Sequence, residues 1–371
     1  VTVITSTNQY SELINELKKN SGGTSLNFRK RMSQSAFAET AYYDALISDY
    51  FNKISNISFP KKKIIYGSLV EKLRYGENPH QESAVYSKSR DFGINKIHGK
   101  QLSYNNYNDI FAALNISKTL PRNTGTVIIK HANPCGVSIL KDKIESYKNA
   151  LRCDPISAFG GIVACNFKIN KKIAKKISSI FFEIILAKGI DKEALKIFRT
   201  KKNLTLIDIS KFKNKTDSKI KYFGSSFLFQ DKNQKVLENK KLKFVTKLKP
   251  SKKELRNAEF ALNVCKFVKS NSIVISNNFS TIGIGAGQPS RLDSCRIATQ
   301  KANKFRPKKL KNSIAASDAF FPFPDGVKKL INAGVKVIIQ PGGSMRDKKA
   351  IEVANKAKVK MIFTGIRHFN H

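Results

Sequence analysis

The residues best suited to chemistry in this sequence are a lysine and a histidine at the end of an apolar run. In "TVIIKHANPCG" the apolar residues 127–129 have the composition of a buried strand, and Lys130 and His131 follow directly. A neutral imidazole can accept a proton near neutral pH, and an ammonium can stabilise a developing negative charge. In proteins with open α/β sheets, the ligand-binding and catalytic residues usually lie at the carboxyl ends of the strands. The same dipeptide also fits a strand that simply ends in solvent.

Two other stretches combine turn residues with groups that recognise anions or planar molecules. "LRYGENPHQ" sets Arg74 beside Tyr75, and a guanidinium can bind phosphate or carboxylate through two parallel hydrogen bonds. "DPISAFGGIVA" sets Phe159, a stacking surface, beside Gly160, which lets a ligand approach closely. An ordinary surface turn explains the first stretch, and a tight turn before a strand explains the second.

Two amide- and glycine-containing stretches are candidates in the second half of the chain. "IGIGAGQPSR" resembles a dinucleotide-binding loop but lacks the third glycine, because Gln288 and Ser290 stand where it is needed. It remains a strand-to-helix turn of the kind that can hold an anion, with Ser290 as a helix N-cap. "KSNSIVIS" places Asn271 at the entrance of a strand. The amide there could hold a carbonyl oxygen or satisfy the backbone.

The composition predicts a globular protein without a membrane segment or a metal. Of 371 residues, 41% are hydrophobic, with no apolar run long enough to cross a bilayer and no signal peptide, so we expect a cytoplasmic protein. The five cysteines form no C-x-x-C and do not pair with histidines at zinc-binding spacing, so we expect free thiols.

The charge is strongly positive, with 68 Lys and Arg against 27 Asp and Glu and a net charge of +41. A charge of this size is typical of nucleic-acid-binding proteins. Here the lysines are spread over almost every segment without interleaved aromatic residues, so we do not expect nucleic acid as the main partner. A positive field also concentrates small polyanions such as phosphates and polycarboxylates.

The hydrophobic pattern predicts strands that alternate with helices, which indicates α/β layers around a central sheet. The predicted strands are 1–5, 84–87, 126–130, 162–165, 272–276, 281–285 and 336–340. The predicted helices are 10–19, 27–51, 108–118, 143–151, 171–180 and 251–267, with two more after Ser290 and from Asp347. The opening "VTVIT" indicates a strand already under way, so we expect the sequence to begin inside a domain.

Eight motifs occur in a fixed order along the chain: "LRYGENPHQ", "GKQLSYNN", "KHANPCGV", "DPISAFGGIVA", "IGIGAGQPSR", "SDAFFPF", "QPGGSMRD" and "TGIRHFNH". Together they closely resemble the bifunctional purine-biosynthesis enzymes that combine AICAR transformylase with IMP cyclohydrolase. The resemblance implies four segments: 1–55, the carboxyl-terminal part of a methylglyoxal-synthase-like cyclohydrolase domain; 56–66, a linker; and 67–246 and 247–371, two cytidine-deaminase-like αβα subdomains without zinc. It also implies a homodimer with transformylase sites at the interface, and a cyclohydrolase activity that is incomplete in these 371 residues.

The resemblance also implies a reaction and its residues. A formyl group passes from the co-substrate 10-formyltetrahydrofolate to the 5-amino group of AICAR, and no metal takes part. By this correspondence His131 is the base, Lys130 stabilises the oxyanion or protonates the leaving nitrogen, and Asn271 binds the formyl oxygen. The residues implied for AICAR are Arg74, Tyr75, Asn106, Phe159, Gly160, Glu183, Arg367 and Phe369, and those implied for folate are Gln288, Ser290, Arg291, Phe320 and Asp325.

Two alternatives stay open at this point. The chain could be a basic RNA- or nucleotide-binding module on the same fold with idle catalytic residues. A zinc deaminase is a weaker third possibility, since "NPCG" matches part of its metal motif.

Overall fold

A computed structural model describes residues 1–89, 93–212, 218–233 and 242–371. The chain divides into two compact units. Unit 1 comprises Val1–Lys72 with Ala84–Asp91, and unit 2 comprises Leu73–Ser83 with Phe92–His371.

Unit 1 contains a short 3-10 helix (Thr7–Gln9), the helices α1 (Tyr10–Lys19) and α2 (Leu26–Ile54), and the antiparallel strand pair β1 (Ser68–Lys72) and β2 (Ala84–Ser87). Helix α2 begins where the Ser25 side chain accepts a hydrogen bond from the Phe28 backbone N–H. Both helices confirm the helices that the apolar periodicity predicted for residues 10–19 and 27–51.

The strand predicted for residues 1–5 is wrong, because this stretch has neither helix nor strand structure. Val1 and Val3 are exposed, and the described residues provide no strand with which the segment pairs. Apolar alternation therefore does not make a strand here without a partner to complete its hydrogen bonds.

Unit 2 contains two series of elements. The first series is β3 (Asn95–His98), α3 (Tyr104–Ser117), β4 (Gly125–Lys130), β5 (Asn133–Ile139), α4 (Lys143–Leu151), β6 (Ile162–Cys165), α5 (Lys171–Ile177), β7 (Ile184–Ala187), α6 (Lys192–Arg199) and β8 (Thr205–Asp208), followed by a separate hairpin of β9 (Ser218–Phe223) and β10 (Ser226–Asp231). The second is β11 (Lys243–Phe244), α7 (Lys252–Cys265), β12 (Ile273–Asn277), β13 (Ser280–Gly285), α8 (Arg291–Phe305), α9 (Pro307–Leu310), β14 (Ser313–Ser317), α10 (Pro324–Asn332), β15 (Val335–Gln340), α11 (Asp347–Lys356) and β16 (Lys360–Phe363).

Twelve of these strands, within the described part of the chain, form one mixed sheet in the order β11-β16-β15-β14-β12-β13-β5-β4-β6-β7-β8-β3. Each half has an inner antiparallel hairpin, then three parallel strands, then an antiparallel edge strand. This arrangement of strand directions is the same on both sides of the β13–β5 junction, where the two halves meet. The mixed α/β architecture predicted from the sequence is confirmed.

Helices pack closely against the two inner hairpins of the sheet. A Cβ at Gly136 of β5 would lie 1.9 Å from the Ala150 carbonyl oxygen of α4. A Cβ at Gly285 of β13 would lie 2.0 Å from the Ser294 carbonyl oxygen of α8. Each half has its own buried apolar cluster, one centred on β6 and β7 and the other on β12 and β14.

The sequence missed several strands of unit 2, because short, continuously buried runs have no alternation to detect. The missed strands of this buried kind are β5, β7, β8, β14 and β16. The more exposed strands β3, β9, β10 and β11, and β1 of unit 1, are also absent from the prediction. The helix predicted for 171–180 ends earlier, at Ile177. The other predicted strands beyond residue 5 match the observed ones to within one residue.

The five cysteines are free, as the sequence predicted, and all five are buried. Burial raises the pKa of Cys135, Cys153, Cys165 and Cys295 to about 12, which disfavours the reactive thiolate. We therefore expect no thiol to react with Ellman's reagent in the native protein, and all five to react in guanidinium chloride. Rapid stoichiometric labelling of the native protein would contradict this.

Candidate active site

The chain carries His131 on a two-residue turn between β4 and β5. Lys130 pairs with Asn133 across this hairpin, and the φ angles of His131 and Ala132 are +50° and +57°. Two consecutive positive φ angles are the pattern of a type I′ turn, in which Asn and Gly are usual. The imidazole-bearing residue is exposed at the carboxyl end of β4, as the sequence predicted, and is not enclosed by the core.

Several element ends meet at this edge of the sheet. Strand directions alternate from β4 through β5 and β13 to β12, so the end of β4 lies at the same edge as the end of β13 and the start of β12. Strand β6 is antiparallel to β4 and parallel to β7, so both begin at this edge as well. The candidate residues 130–131, 159–160, 183, 271 and 288 therefore belong to one edge.

The ammonium of Lys130 is directed at the turn before β6. Its Nζ donates a hydrogen bond to the Phe159 carbonyl oxygen at 2.6 Å. A Cβ at Gly160 would lie 3.2 Å from the same Nζ, and Gly160 has a φ of +69°. The absence of a side chain at this position gives the Lys130 ammonium its space and permits the left-handed backbone.

A polar pair and an aromatic pair lie beside this turn. The Asn106 Nδ2 donates to Glu183 Oε2 at 3.1 Å, and Asn106 is fixed by a reciprocal capping box with Ser103 at the start of α3. The Phe159 and Phe181 rings are 5.5 Å apart between centroids. Phe159 remains 59% exposed, so one of its faces can receive a planar ligand.

Arg74 and Tyr75 lie in a turn that is tied to the start of α3. The Tyr75 carbonyl oxygen accepts from the Tyr104 N–H at 3.2 Å. The exposed Arg74 guanidinium donates to the Tyr75 hydroxyl at 3.1 Å and has its Cζ 4.8 Å from the ring centroid. Most of its donors face solvent and can bind an anion.

His131 opens into a cavity of about 340 Å³ with an ion pair in its wall. Lys301 Nζ lies 2.7 Å from Oδ2 of Asp154, which is 3% exposed. Burial opposes ionisation of Asp154, but hydrogen bonds from Lys301 and Ser157 outweigh it and lower the pKa of that carboxyl. The cavity is lined by Lys130, His131, Asn133, Pro134, Cys135, Asp154, Ser157, Ile284, Ala286, Gln288, Ile297 and Lys301.

A second cavity, of about 480 Å³, contains Asn271 and four of the residues that the resemblance assigned to folate. Its wall also contains Arg367 and Phe369, which the resemblance assigned to AICAR; the Arg367 Cζ is 4.4 Å from the Phe369 ring centroid. Gln288, assigned to folate, lines the His131 cavity instead. The second cavity is lined by Asn271, Pro289, Ser290, Arg291, Leu292, Ala319, Phe320, Phe321, Pro322, Phe323, Asp325, Gly326, Arg367 and Phe369.

Asn271 has all the groups of its side-chain amide engaged. Its Nδ2 donates to the Gln288 and Pro289 carbonyl oxygens at 2.9 and 2.8 Å, and its Oδ1 accepts from Arg291 Nη2 at 2.6 Å. Two carbonyls on one side and a guanidinium on the other fix the orientation of the amide. Because Gln288 lines the His131 cavity, the hydrogen bond from Asn271 Nδ2 to the Gln288 carbonyl oxygen connects the walls of the two cavities.

Arg291 is itself buried, with 7% of its surface exposed. Its Nη1 donates to Ser317 Oγ at 2.7 Å and to Asp318 Oδ1 at 2.5 Å. A buried charge requires such a partner, and Asp318 is completely buried as well. Arg291 thus faces the cavity only in part and holds Asn271 in place.

Sequence reasoning missed three acidic or basic groups in this region: Asp109, Asp318 and Lys301. Asp109 lies just beyond the "GKQLSYNN" motif, and nothing in the motif singles it out. Its Oδ1 accepts the Ala132 backbone N–H at 2.6 Å. Asp318 lies in the quoted "SDAFFPF" motif, but its partner Arg291 is 27 residues away, and Lys301 is 147 residues from Asp154, so no local pattern identifies either pairing.

The described ranges contain no group of three or more His, Cys, Asp and Glu that could hold a metal ion. They also contain no helix with the length and apolar character needed to cross a bilayer.

Comparison with known proteins gives consistent matches over most of the sequence. The family model described as "AICARFT/IMPCHase bienzyme" matches residues 1–301. The chain belongs to this family. It is 43% identical to the bifunctional purine biosynthesis protein PurH of Rhizobium rhizogenes, over all of this chain and 72% of that protein. The corresponding protein of Persephonella marina is 42% identical, over all of this chain and 73% of its own length. The family that the motifs indicated is thereby confirmed.

His368, the residue after Arg367, is expected to make the stability of the protein depend on pH. Burial, and then the positive charge of Lys266, lowers the pKa of His368 from 6.5 to about 4, against the opposing charge of Asp318. The neutral ring accepts a hydrogen bond at Nδ1 from Asn233 Nδ2, with the two nitrogens 3.0 Å apart. The unfolded chain therefore takes up a proton first as the pH falls.

We expect the free energy of unfolding to decrease between about pH 6.5 and about pH 4, by up to about 3 kcal/mol from this group. Above pH 6.5 the contribution is fully present. Urea titrations of the parent and of His368→Gln measure it, because the variant should lose this part of the slope. His80→Gln, at an exposed histidine, is the control. An unchanged slope in His368→Gln would contradict the assignment.

Proposed function

We propose that the chain transfers the formyl group of 10-formyltetrahydrofolate to the 5-amino group of AICAR, in the synthesis of purine nucleotides. The observation that carries this is the exposed His131 imidazole on the β4–β5 turn, next to the Lys130 ammonium, in a chain of the AICARFT/IMPCHase family. The relatives named bifunctional purine biosynthesis protein support the same pathway and both activities.

The proposed chemistry follows from the weakness of the acceptor. The lone pair of the AICAR amine is delocalised toward the carboxamide, so the nitrogen is a poor nucleophile. His131 removes an amine proton as the nitrogen attacks the formyl carbon, and the carbonyl oxygen becomes an oxyanion. The bond to the folate nitrogen then breaks, and that nitrogen takes up a proton. Lys130 stabilises the oxyanion or supplies this proton after leaving the Phe159 carbonyl.

The groups around Lys130 support AICAR binding beside the cavity into which His131 opens. The exposed face of Phe159 fits the planar imidazole ring, the Asn106–Glu183 pair fits an amide or hydroxyl group, and the free donors of Arg74 fit a phosphate. Tyr75 orients the guanidinium, and Gly160 leaves the space above the turn.

The second cavity supports the folate assignment, with Phe320 as a stacking surface and Asp325 as an acceptor for an amino group of the pterin. Ser290, Arg291 and Gln288 complete the assigned set. The proposal that Asn271 binds the formyl oxygen needs one of its two carbonyl contacts to be exchanged for the substrate.

We also propose the finer organisation implied by the resemblance. The repeated strand order and the separate apolar clusters support two cytidine-deaminase-like subdomains at 67–246 and 247–371. Residues 1–55 then belong to the cyclohydrolase domain and 56–66 to a linker. Arg367 and Phe369 line the second cavity, whereas Phe159, Gly160, Asn106 and Glu183 lie around the turn that Lys130 contacts, which supports a homodimer whose copies complete each other's sites. Free buried thiols fit a cytoplasmic location.

The family membership gives no support to an RNA-binding module without catalysis. Purified protein supplied with AICAR and 10-formyltetrahydrofolate should form formyl-AICAR. An absence of turnover together with a salt-sensitive RNA complex would reverse the assignment. Supplying formyl-AICAR and following IMP tests separately how much cyclohydrolase activity these 371 residues retain.

We expect His131→Ala to lower kcat for formyl transfer by about 10²–10⁴, the usual effect of losing a general base. His131→Asn is the matched variant: asparagine tolerates the left-handed conformation, so it keeps the turn and removes only the imidazole. Both variants should lose activity to a similar degree in a tetrahydrofolate-release assay. A kcat within about threefold of the parent in His131→Asn would remove His131 from the mechanism.

A further inference from the structure

We propose that Asp109 is a positioning residue for formyl transfer, because its carboxylate holds the turn that carries His131. This inference rests on the proposed function and adds to it a residue that neither the motifs nor the resemblance assigned.

The turn contains conformations that its residues do not favour by themselves. His131 and Ala132 both have positive φ angles, although neither is Gly, Asn or Asp. A side chain in this region brings its Cβ close to the following carbonyl oxygen, which costs free energy at each position. A type I′ turn without a glycine therefore needs stabilisation from outside the turn.

Asp109 supplies this stabilisation from the neighbouring helix. Its Oδ1 accepts the Ala132 N–H at 2.6 Å. Burial raises the pKa of the Asp109 carboxyl, and the backbone N–H groups of Ala132 and His131 act against this shift by favouring the carboxylate. Charge-assisted hydrogen bonds to backbone N–H groups are about twice as strong as neutral ones. The carboxylate thus favours the backbone conformation in which the Ala132 N–H points toward α3.

The helix that carries Asp109 is firmly anchored. Tyr107 and Ile110, on either side, are 7% and 0% exposed, and α3 begins with the Ser103 capping box. Asp109 itself is half-buried. A rigid helix can therefore transmit its position to the turn, whereas a carboxylate on a flexible loop could not.

The same helix also presents Asn106, which contacts Glu183. Asn106 and Asp109 are three residues apart and lie on one side of the helix. One rigid element thus fixes both the proposed AICAR contact and the backbone of the proposed base, so that their separation is set by the geometry of α3.

A double-mutant cycle tests the proposal, because glycine adopts positive φ without a side-chain penalty. We expect Asp109→Ala to lower kcat by about 10–100-fold, with the KM for AICAR changed by less than about threefold. In the A132G background, the factor by which Asp109→Ala lowers kcat should be at least about fivefold smaller than in the parent background. Asp109→Asn, which keeps an acceptor oxygen, should lose less than Asp109→Ala.

A kcat of Asp109→Ala within about twofold of the parent would overturn the proposal. So would an equal loss in both backgrounds, since this would indicate a direct chemical role for the carboxylate. Thermal unfolding identifies a variant that does not fold. If Asp109→Ala does not fold, the kcat loss of Asp109→Asn is compared with and without A132G instead, and an equal loss in both backgrounds again overturns the proposal. If the parent itself forms no formyl-AICAR, the proposed function fails, which is distinct from the failure of this inference.

Discussion

The β4–β5 hairpin is the element on which both the sheet and the site depend. It reverses the chain in two residues, which fixes the backbone of His131 at the turn. Its second strand, β5, is also the strand that meets β13 of the other half. A change in the register or length of this turn would therefore move the imidazole and the junction of the two halves together. The conformational cost of the turn is offset by groups outside it, notably the Asp109 carboxylate.

The junction between the halves is polar, although it lies at the centre of the sheet. Ser138 and Ser280 pair with their hydroxyl oxygens 2.7 Å apart, and Thr281 Oγ1 accepts the Val137 N–H at 2.9 Å. These side chains are almost completely buried, so each hydroxyl needs its partner in one defined register. Apolar side chains would tolerate a slip between β5 and β13 more readily. The polar pairing therefore specifies how the two halves, and the cavities at their common edge, are aligned.

The sequence predicted the features that are local. Alternating apolar segments gave the α/β class, and the run before Lys130 placed His131 at a strand end. The sequence did not predict β5, because the Pro and Gly of "NPCG" indicate a turn, whereas the structure accommodates Pro134 where the register of the β4–β5 pair shifts. It also did not predict the role of Asp109, since its contact spans 23 residues and the His-Ala pair is not a recognised hairpin signal.

The environment of Asn271 shows why residue types alone do not assign roles in this site. An arginine in a glycine-rich turn invites an assignment to an anionic ligand, yet the donors of Arg291 are used by Asp318, Ser317 and Asn271. Removing a buried guanidinium from Asp318 would leave a buried charge without a partner, at a cost of about 3–5 kcal/mol. The ion pair is therefore held in place more strongly than a surface contact, and so is the amide oxygen it binds. Of the Asn271 contacts, those between Nδ2 and two neutral carbonyls are the weaker ones, and a developing oxyanion competes with a neutral carbonyl for the same donor. The amide is thus oriented by its charged side and remains exchangeable on its donor side.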